Sequence, residues 1–355
     1  MTRRADGSNL RPMRSFAHPD DQRHAPRFFL MRGAVRPNFE VPARATALRE
    51  GLARLGLVPE VPALPDPAAL AAVHAPDYLD FLRRVAAEWA ALPGAGPEAV
   101  ANIHPSPEML AQGGQRPGTI VGQVGWYTAD TACPIGPGTW EASLAAAGCA
   151  LAAAGVAAQG GTAYALCRPP GHHAYAARAG GHCYVNNAAL AAQALRDAGA
   201  KRVAVVDIDS HHGNGTQGLF WDRGDVLTVS LHADPNRYYP WYVGHAGETG
   251  AGAGEGRNRN LPLPFGTGDE GWLAALDAGL ETVRGFAPDA LVVSLGFDAS
   301  EHEPLAALAV TEDGFARAGE RLAGLGRPAA IIQEGGYAVD QLGRLLERFL
   351  GGWGG

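Results

Sequence analysis

The stretch that most constrains this chain is Val203 to Gln217, VAVVDIDSHHGNGTQ. Its opening run, Val203-Ala204-Val205-Val206, is continuously apolar and rich in β-branched residues, the mark of a strand buried on both faces. Such strands belong to parallel sheets covered by helices on either side. The run then turns abruptly polar, with Asp207, Asp209 and His211 on alternate positions. If the strand stayed extended, these three would share one face and project together at its carboxyl end. Gly213 and Gly215 then allow a sharp turn away. Two carboxylates with an imidazole at a strand end suit a divalent metal.

The same grammar recurs along the chain. Gly161 to Arg168 predicts a strand ended by Pro169-Pro170-Gly171, and His172-His173 follow at once. Ala290 to Gly296 (ALVVSLG) is a buried strand running into Asp298, and Ala329 to Gln333 (AAIIQ) runs into Gly335-Gly336-Tyr337. Val226 to His232 is a further strand. Between them lie helical segments: Ala43 to Leu55, a start at Pro65 to Val73, Asp77 to Trp89, Thr139 to Gln159, Asn186 to Ala198 closed by Gly199, Trp272 to Phe286, Gly314 to Leu325 and Gln341 to Leu350. Strands alternating with helices imply right-handed crossovers and a three-layer α/β domain, its mostly parallel sheet flanked by helices on both faces. No break in composition divides residues 13–355, which read as one domain behind a flexible lead-in over 1–12. Residues 14–47 read as a short strand and a long surface loop, and 92–119 as a Pro/Gly-rich loop. The Gly-rich stretch 244–260 reads as a loop, since no strand precedes it and no helix opens after it, which argues against a nucleotide fingerprint.

Composition narrows the partners. A formal charge of −7 with no basic run argues against nucleic acid or an anionic membrane. No apolar run is expected to reach the length of about 18 residues that a membrane helix needs. The basic N-terminus lacks the apolar core of a secretory signal, so a cytoplasmic location is expected. Cys133, Cys149, Cys167 and Cys183 lack CxxC spacing and read as reduced, buried residues.

Ligands of open parallel sheets bind outside the strands' carboxyl ends, where the reactive residues gather. A lone histidine or strand-end aspartate is usually a satisfied polar group or a cap; four strands ending this way together form a pattern. Asp209, His211 and Asp298 make a three-ligand site with room for water and substrate, as a catalytic zinc requires. His172-His173 offer a general base and acid, Asp207 a hydrogen-bond partner that favours a charged histidine, and Tyr337 an O–H for a developing oxyanion. The chemistry is metal-assisted hydrolysis of an amide or ester.

RPPGHHA (168–174), GGHCYVNNAALAA (180–192), VDIDSHHGNGTQ (206–217), VSLH (229–232), ETGAGAG (248–254), SLGFDA (294–299), EGGY (334–337) and WEASL at Trp140 resemble the histone deacetylase family, and within it the bacterial acetylpolyamine amidohydrolases. The resemblance implies the arginase/deacetylase fold and one zinc on Asp209, His211 and Asp298. It implies His173 as general base and acid, His172 as its electrostatic partner backed by Asp207, and Tyr337 polarising the acetyl carbonyl. It also implies structural K+ or Na+, one ion near Asp207, Asp209, His211 and Ser230, a second near Phe220, Arg223 and Val226. The residue behind His173 is Asn214, where many relatives place Asp, so a lower pKa is expected for His173. The substrate tunnel falls on Gly181, His182, Tyr239 and Leu305, with Phe29 and Val121 where polyamine enzymes carry acids. The segment of about 88–119 resembles an insertion used for dimerisation and tunnel narrowing. The expected activity is zinc-dependent hydrolysis of a small acetylated amine, by a homodimer. The alternatives are a protein acetyl-lysine deacetylase, which needs an open tunnel mouth, and a hydrolase of another small amide. A di-manganese ureohydrolase would need more strand-end Asp and His, and a non-catalytic binding protein would be expected to have lost a ligand or Tyr337.

Overall fold

In the computed structural model, which describes residues 13–305 and 307–354, seven strands form one parallel sheet. They are β1 (Arg14–Phe16), β4 (Thr162–Ala165), β5 (Val203–Asp207), β6 (Val226–Ala233), β7 (Asn258–Leu263), β8 (Ala290–Leu295) and β9 (Ala329–Gln333), ordered β1-β4-β9-β8-β5-β6-β7. β2 (Phe28–Met31) and β3 (Ala34–Pro37) make a separate antiparallel hairpin. The lead-in expected over 1–12 lies outside the described residues.

The central strands are buried on both faces, as their unbroken apolar runs require. Ala204 and Val206 of β5, with Val293 of β8 and Ile331 of β9, join one core. It is built with α1 (Ala43–Arg54), α8 (Asp269–Phe286), α9 (Glu312–Ala323) and α10 (Val339–Gly354). Their alternates Val203, Val205, Val292 and Ile332 enter a second core with α5 (Thr139–Ala158) and α6 (Asn187–Asp197). Each such valine or isoleucine contributes about 1.5–3 kcal/mol on burial, so a one-residue register slip would exchange the two cores wholesale. A third cluster packs α2 (Pro76–Ala90) against α4 (Ile120–Tyr127), beside the segment holding α3 (Pro107–Ala111).

Three expectations need correction. α5 is long and apolar enough to cross a bilayer by length and composition, but most of it is buried inside the protein as a core helix. The stretch 244–260 is not all loop: β7 begins at Asn258 and pairs with β6 as an edge strand. Its Asn258, Arg259, Asn260 and Pro262 hide it, because an edge strand tolerates proline and polar side chains. The surface loop within 14–47 contains the β2–β3 hairpin, whose turn places Arg32 and Gly33 at φ 51° and 74°, the two positive values a tight hairpin turn uses.

Candidate active site

Four adjacent strands, β4, β9, β8 and β5, deliver the candidate residues at their carboxyl ends. β5 stops at Asp207, so strand alternation does not carry Asp207, Asp209 and His211 onto one face as expected. The carboxylates bend the chain instead: Asp209 N–H donates to Asp207 Oδ1 (3.1 Å) and His211 N–H to Asp209 Oδ1 (2.8 Å), local turns that aspartate favours. The three therefore divide. Asp207 Oδ2 accepts from His172 Nδ1 at 2.9 Å, whereas Asp209 and His211 meet Asp298 from β8.

In that second group His211 Nδ1 lies 2.9 Å from Asp298 Oδ2 and 3.2 Å from Asp209 Oδ1, all three residues being buried. The space is cut for the carboxylates. A Cβ at Gly335 would sit 2.4 Å from Asp298 Oδ2 and 2.6 Å from Asp209 Oδ2, and one at Gly296 would sit 2.1 Å from Asp209 Oδ2. Two buried acids converging on one imidazole are costly without a cation. Burial and the adjacent Asp209 raise the Asp298 carboxyl; burial would lower His211, but Asp298 and Asp209 push it up to about 9. This donor set fits a divalent ion such as zinc, with ligand atoms within 4.8 Å of one another. A second buried cluster, His172, Cys183 and Glu334, meets the same distance test, but its carboxylate already accepts the N–H groups of Gly171 (2.6 Å) and His172 (3.1 Å).

The histidine pair is split electrostatically. Burial would lower His172, yet Asp209 and Asp207 raise it well above its usual range. Burial lowers His173, and the neighbouring His172 and His211 lower it further. Neighbouring titratable groups pushed apart in this way make the pair candidates for acid and base roles. His173 Nδ1–H donates to Asn214 Oδ1 at 2.6 Å, while Asn214 Nδ2 donates to the Tyr175 hydroxyl at 3.0 Å. With the amide in this orientation, Nε2 of His173 keeps its lone pair. Tyr337 is buried, and burial raises its hydroxyl well above 10, so it stays a neutral donor.

Around these residues the walls are aromatic. Tyr239 meets His173 edge-on at 4.8 Å, and Tyr337 lies 5.9 Å from His182. His182 is pushed down to about 4 by burial and packs against Phe29 at 5.5 Å. Gly181, at φ +50°, lets backbone pass where a Cβ would stand 2.5 Å from the His173 ring and 3.0 Å from Tyr239. Phe29 is buried against Phe39 and His182, Leu305 is half-buried, and Val121 is exposed on α4. Ser230 pairs in register with Asp207 across β5 and β6, its Oγ 2.8 Å from His232 Nδ1. Phe220 ends α7 (Asn214–Phe220), its carbonyl accepting from Arg223 N–H, and Val226 opens β6.

Several residues that shape the site escaped the sequence reading. Arg44, buried on α1, donates to the carbonyls of Gly336 (2.6 Å) and Glu334 (2.7 Å). It lies 4.9 Å over the Tyr337 ring, holding that turn from beneath. Glu40 pairs with both Arg44 and Arg168. Glu303 Oε2 accepts from the N–H groups of Tyr337 (2.9 Å) and Ala338 (3.3 Å). Burial and Asp298 push it up to about 8. Asp130 Oδ2 accepts from the Tyr239 hydroxyl (2.6 Å) and Gly181 N–H (3.0 Å). The signals were faint: an arginine inside an Ala-rich helix, and single acids in loops.

Known proteins share both this chain's sequence and its architecture. Residues 38–352 match the histone deacetylase domain. The chain is 45% identical over 344 residues to an acetylpolyamine amidohydrolase of Burkholderia pseudomallei (strain 1710b), covering 96% of this chain and 99% of that protein. It is 43% identical to acetylpolyamine amidohydrolase 1 of Pseudomonas aeruginosa, covering 92% and 94% respectively. A crystal structure of the acetylpolyamine aminohydrolase from Burkholderia pseudomallei superposes with a TM-score of 0.92, at 44% identity and over 96% of this chain and 98% of that one.

Proposed function

Because this chain belongs to the histone deacetylase family and has the arginase/deacetylase fold, we propose that it is a zinc-dependent amidohydrolase that removes acetyl groups from small N-acetylated amines such as acetylpolyamines. The observation that carries the reading is the convergence of Asp209, His211 and Asp298 on one space beside a histidine pair split into charged and neutral members. A zinc ion held by those three residues would supply Lewis-acid polarisation of the acyl carbonyl and of the attacking water.

The chain's own groups handle the protons. His173, with Nδ1–H committed to Asn214, uses Nε2 to take a proton from the attacking water and hands it to the departing amine. His172, kept charged by Asp207 and Asp209, stays protonated and stabilises the negative charge that builds beside it. Tyr337 donates its O–H to the carbonyl oxygen as that oxygen becomes anionic, from a turn positioned by Arg44 and Glu303.

Structural K+ or Na+ ions, one beside Asp207 and Ser230 and one beside Phe220, Arg223 and Val226, belong to the same reading. So do one catalytic domain over 13–355, a cytoplasmic setting and a homodimer formed through the segment of about 88–119. Exposed Ile103, Met109, Leu110 and Val121 in or beside that segment offer apolar surface for such an interface. Metal analysis and turnover together test the reading. Wild type is expected to bind one zinc per chain, Asp298→Ala to lose it, and His173→Ala to keep it while losing acetate release. Full activity in His173→Ala would overturn the assignment.

A further inference from the structure

The segment ETGAGAG (248–254) is used by no step of the hydrolysis. Its first residue, Glu248, is half-buried and gathers donors from three directions. The carboxylate accepts from the N–H groups of Gly244 (2.9 Å) and His245 (3.1 Å), from Gln217 Nε2 (2.7 Å) and from Asn260 Nδ2 (3.1 Å). A carboxylate only accepts, so it dictates which way the neighbouring amides face. Gln217 turns Nε2 to Glu248, and its Oε1 accepts from Asn258 Nδ2 (2.9 Å), Asn260 Nδ2 (2.8 Å) and His212 Nε2–H (2.9 Å). Gln217, Asn258, Asn260 and His212 are all buried. The rest of the segment straps the same helix. Ala251 N–H donates at 2.9 Å to the carbonyl of Trp221, just past α7, and a Cβ at Gly254 would stand 2.4 Å from that oxygen.

Both ends of this clamp lead to the site. Gln217 lies about one turn along α7 from Asn214, which accepts from His173. Gly244, at φ +111°, sits where a Cβ would stand 2.9 Å from the His212 ring, and its carbonyl accepts from His232 Nε2 at 2.8 Å. It anchors the loop that follows β6, whose Tyr238 stacks on His211 at 4.5 Å and 16° and whose Tyr239 meets His173 at 4.8 Å. Resting on the amidohydrolase reading, we propose that Glu248 and Gln217 are positioning residues. Their contact holds the loop bearing Tyr238 and Tyr239 against the helix bearing Asn214, and so sets the substrate's approach to His173. Neither touches a reacting atom. The directions of the whole network follow from one group that only accepts. An amide at 248 leaves two donors facing each other, and a carboxylate at 217 leaves two acceptors. Exchanging the two restores the contact.

The test is a double-mutant cycle on zinc-loaded full-length enzyme, read by acetate release from N-acetylputrescine and by hydrogen exchange of the loop. Glu248→Gln and Gln217→Glu should each raise KM about tenfold without loss of bound zinc, and the amides of Gly244 and His245 should lose protection. Glu248→Gln combined with Gln217→Glu should return KM to within about threefold of wild type and restore that protection. A purely structural role would instead lower kcat, through a smaller folded fraction, and leave KM unchanged. Glu248→Asp keeps the charge but is too short to span both the loop and Gln217. It should raise KM to a lesser extent, and it decides the matter where another single variant fails to fold. Unchanged KM in the folded single variants, or a double variant no better than the worse single one, would overturn the proposal and leave the hydrolase reading intact. A wild type that releases no acetate would overturn that reading, and unaltered exchange in the single variants would overturn the clamp independently.

Discussion

Asn214→Asp tests the proton account at its most specific point. The substitution is nearly isosteric. The introduced carboxylate would still accept from His173 Nδ1–H, which now lies 2.6 Å from the amide oxygen. The Tyr175 hydroxyl could turn to donate where it now accepts at 3.0 Å. What changes is charge. A carboxylate in direct contact favours the imidazolium and raises its pKa by about 1–3 units, or about 1.4–4 kcal/mol. In the wild type His173 is held low by burial and by His172 and His211, so the neutral base persists to acidic pH. The sign follows directly. The base works unprotonated, so raising its pKa moves the acid limb of kcat/KM to higher pH. For a shift of about 2 units, kcat/KM falls about 100-fold at pH values below both limbs and is spared above them. Acetate release from N-acetylputrescine between pH 5 and 9 on zinc-loaded protein measures it. An acid limb that stays in place, or moves to lower pH, would refute His173 as the base.

Two further outcomes follow from the packing. Gly335→Ala places a methyl within 2.6 Å of oxygens on both Asp209 and Asp298, so bound zinc, read by metal analysis of the folded protein, should fall well below one per chain; full occupancy would contradict the proposed ligand geometry. Glu303, pushed up to about 8 by burial and Asp298, is favoured in its protonated form by folding. Its contribution is complete below its unfolded value near 4.5 and is lost as pH rises through 8, by up to about 5 kcal/mol. Chelator-treated wild type should therefore lose denaturant stability between pH 5 and 9, and Glu303→Gln should flatten that loss; parallel profiles would contradict it.

How much was legible depended on whether local sequence or tertiary context decided the outcome. Val203–Val206, Ala290–Leu295 and Ala329–Gln333 announced themselves, because a strand buried on both faces must be apolar throughout. The end of each strand then placed Asp207, Asp298 and Tyr337. Asp209 and His211 were found for an incomplete reason: extended alternation was assumed, whereas turns made by the aspartate carboxylates aim them. β7 was missed because its Asn258 and Asn260 serve a buried polar network with Gln217 and Glu248, which no apolar period reports. Glu303, Arg44 and Asp130 act through backbone groups and a neighbouring hydroxyl, contacts that exist only once distant segments meet.

The most direct test is acetate release from N-acetylputrescine, N-acetylspermidine and an acetyl-lysine peptide, before and after zinc chelation and after zinc is restored. The account predicts turnover of the two free amines that chelation abolishes and zinc restores, with little turnover of the peptide. Turnover undiminished by chelation would contradict the metal site, and turnover of the peptide alone would contradict the small-amine substrate.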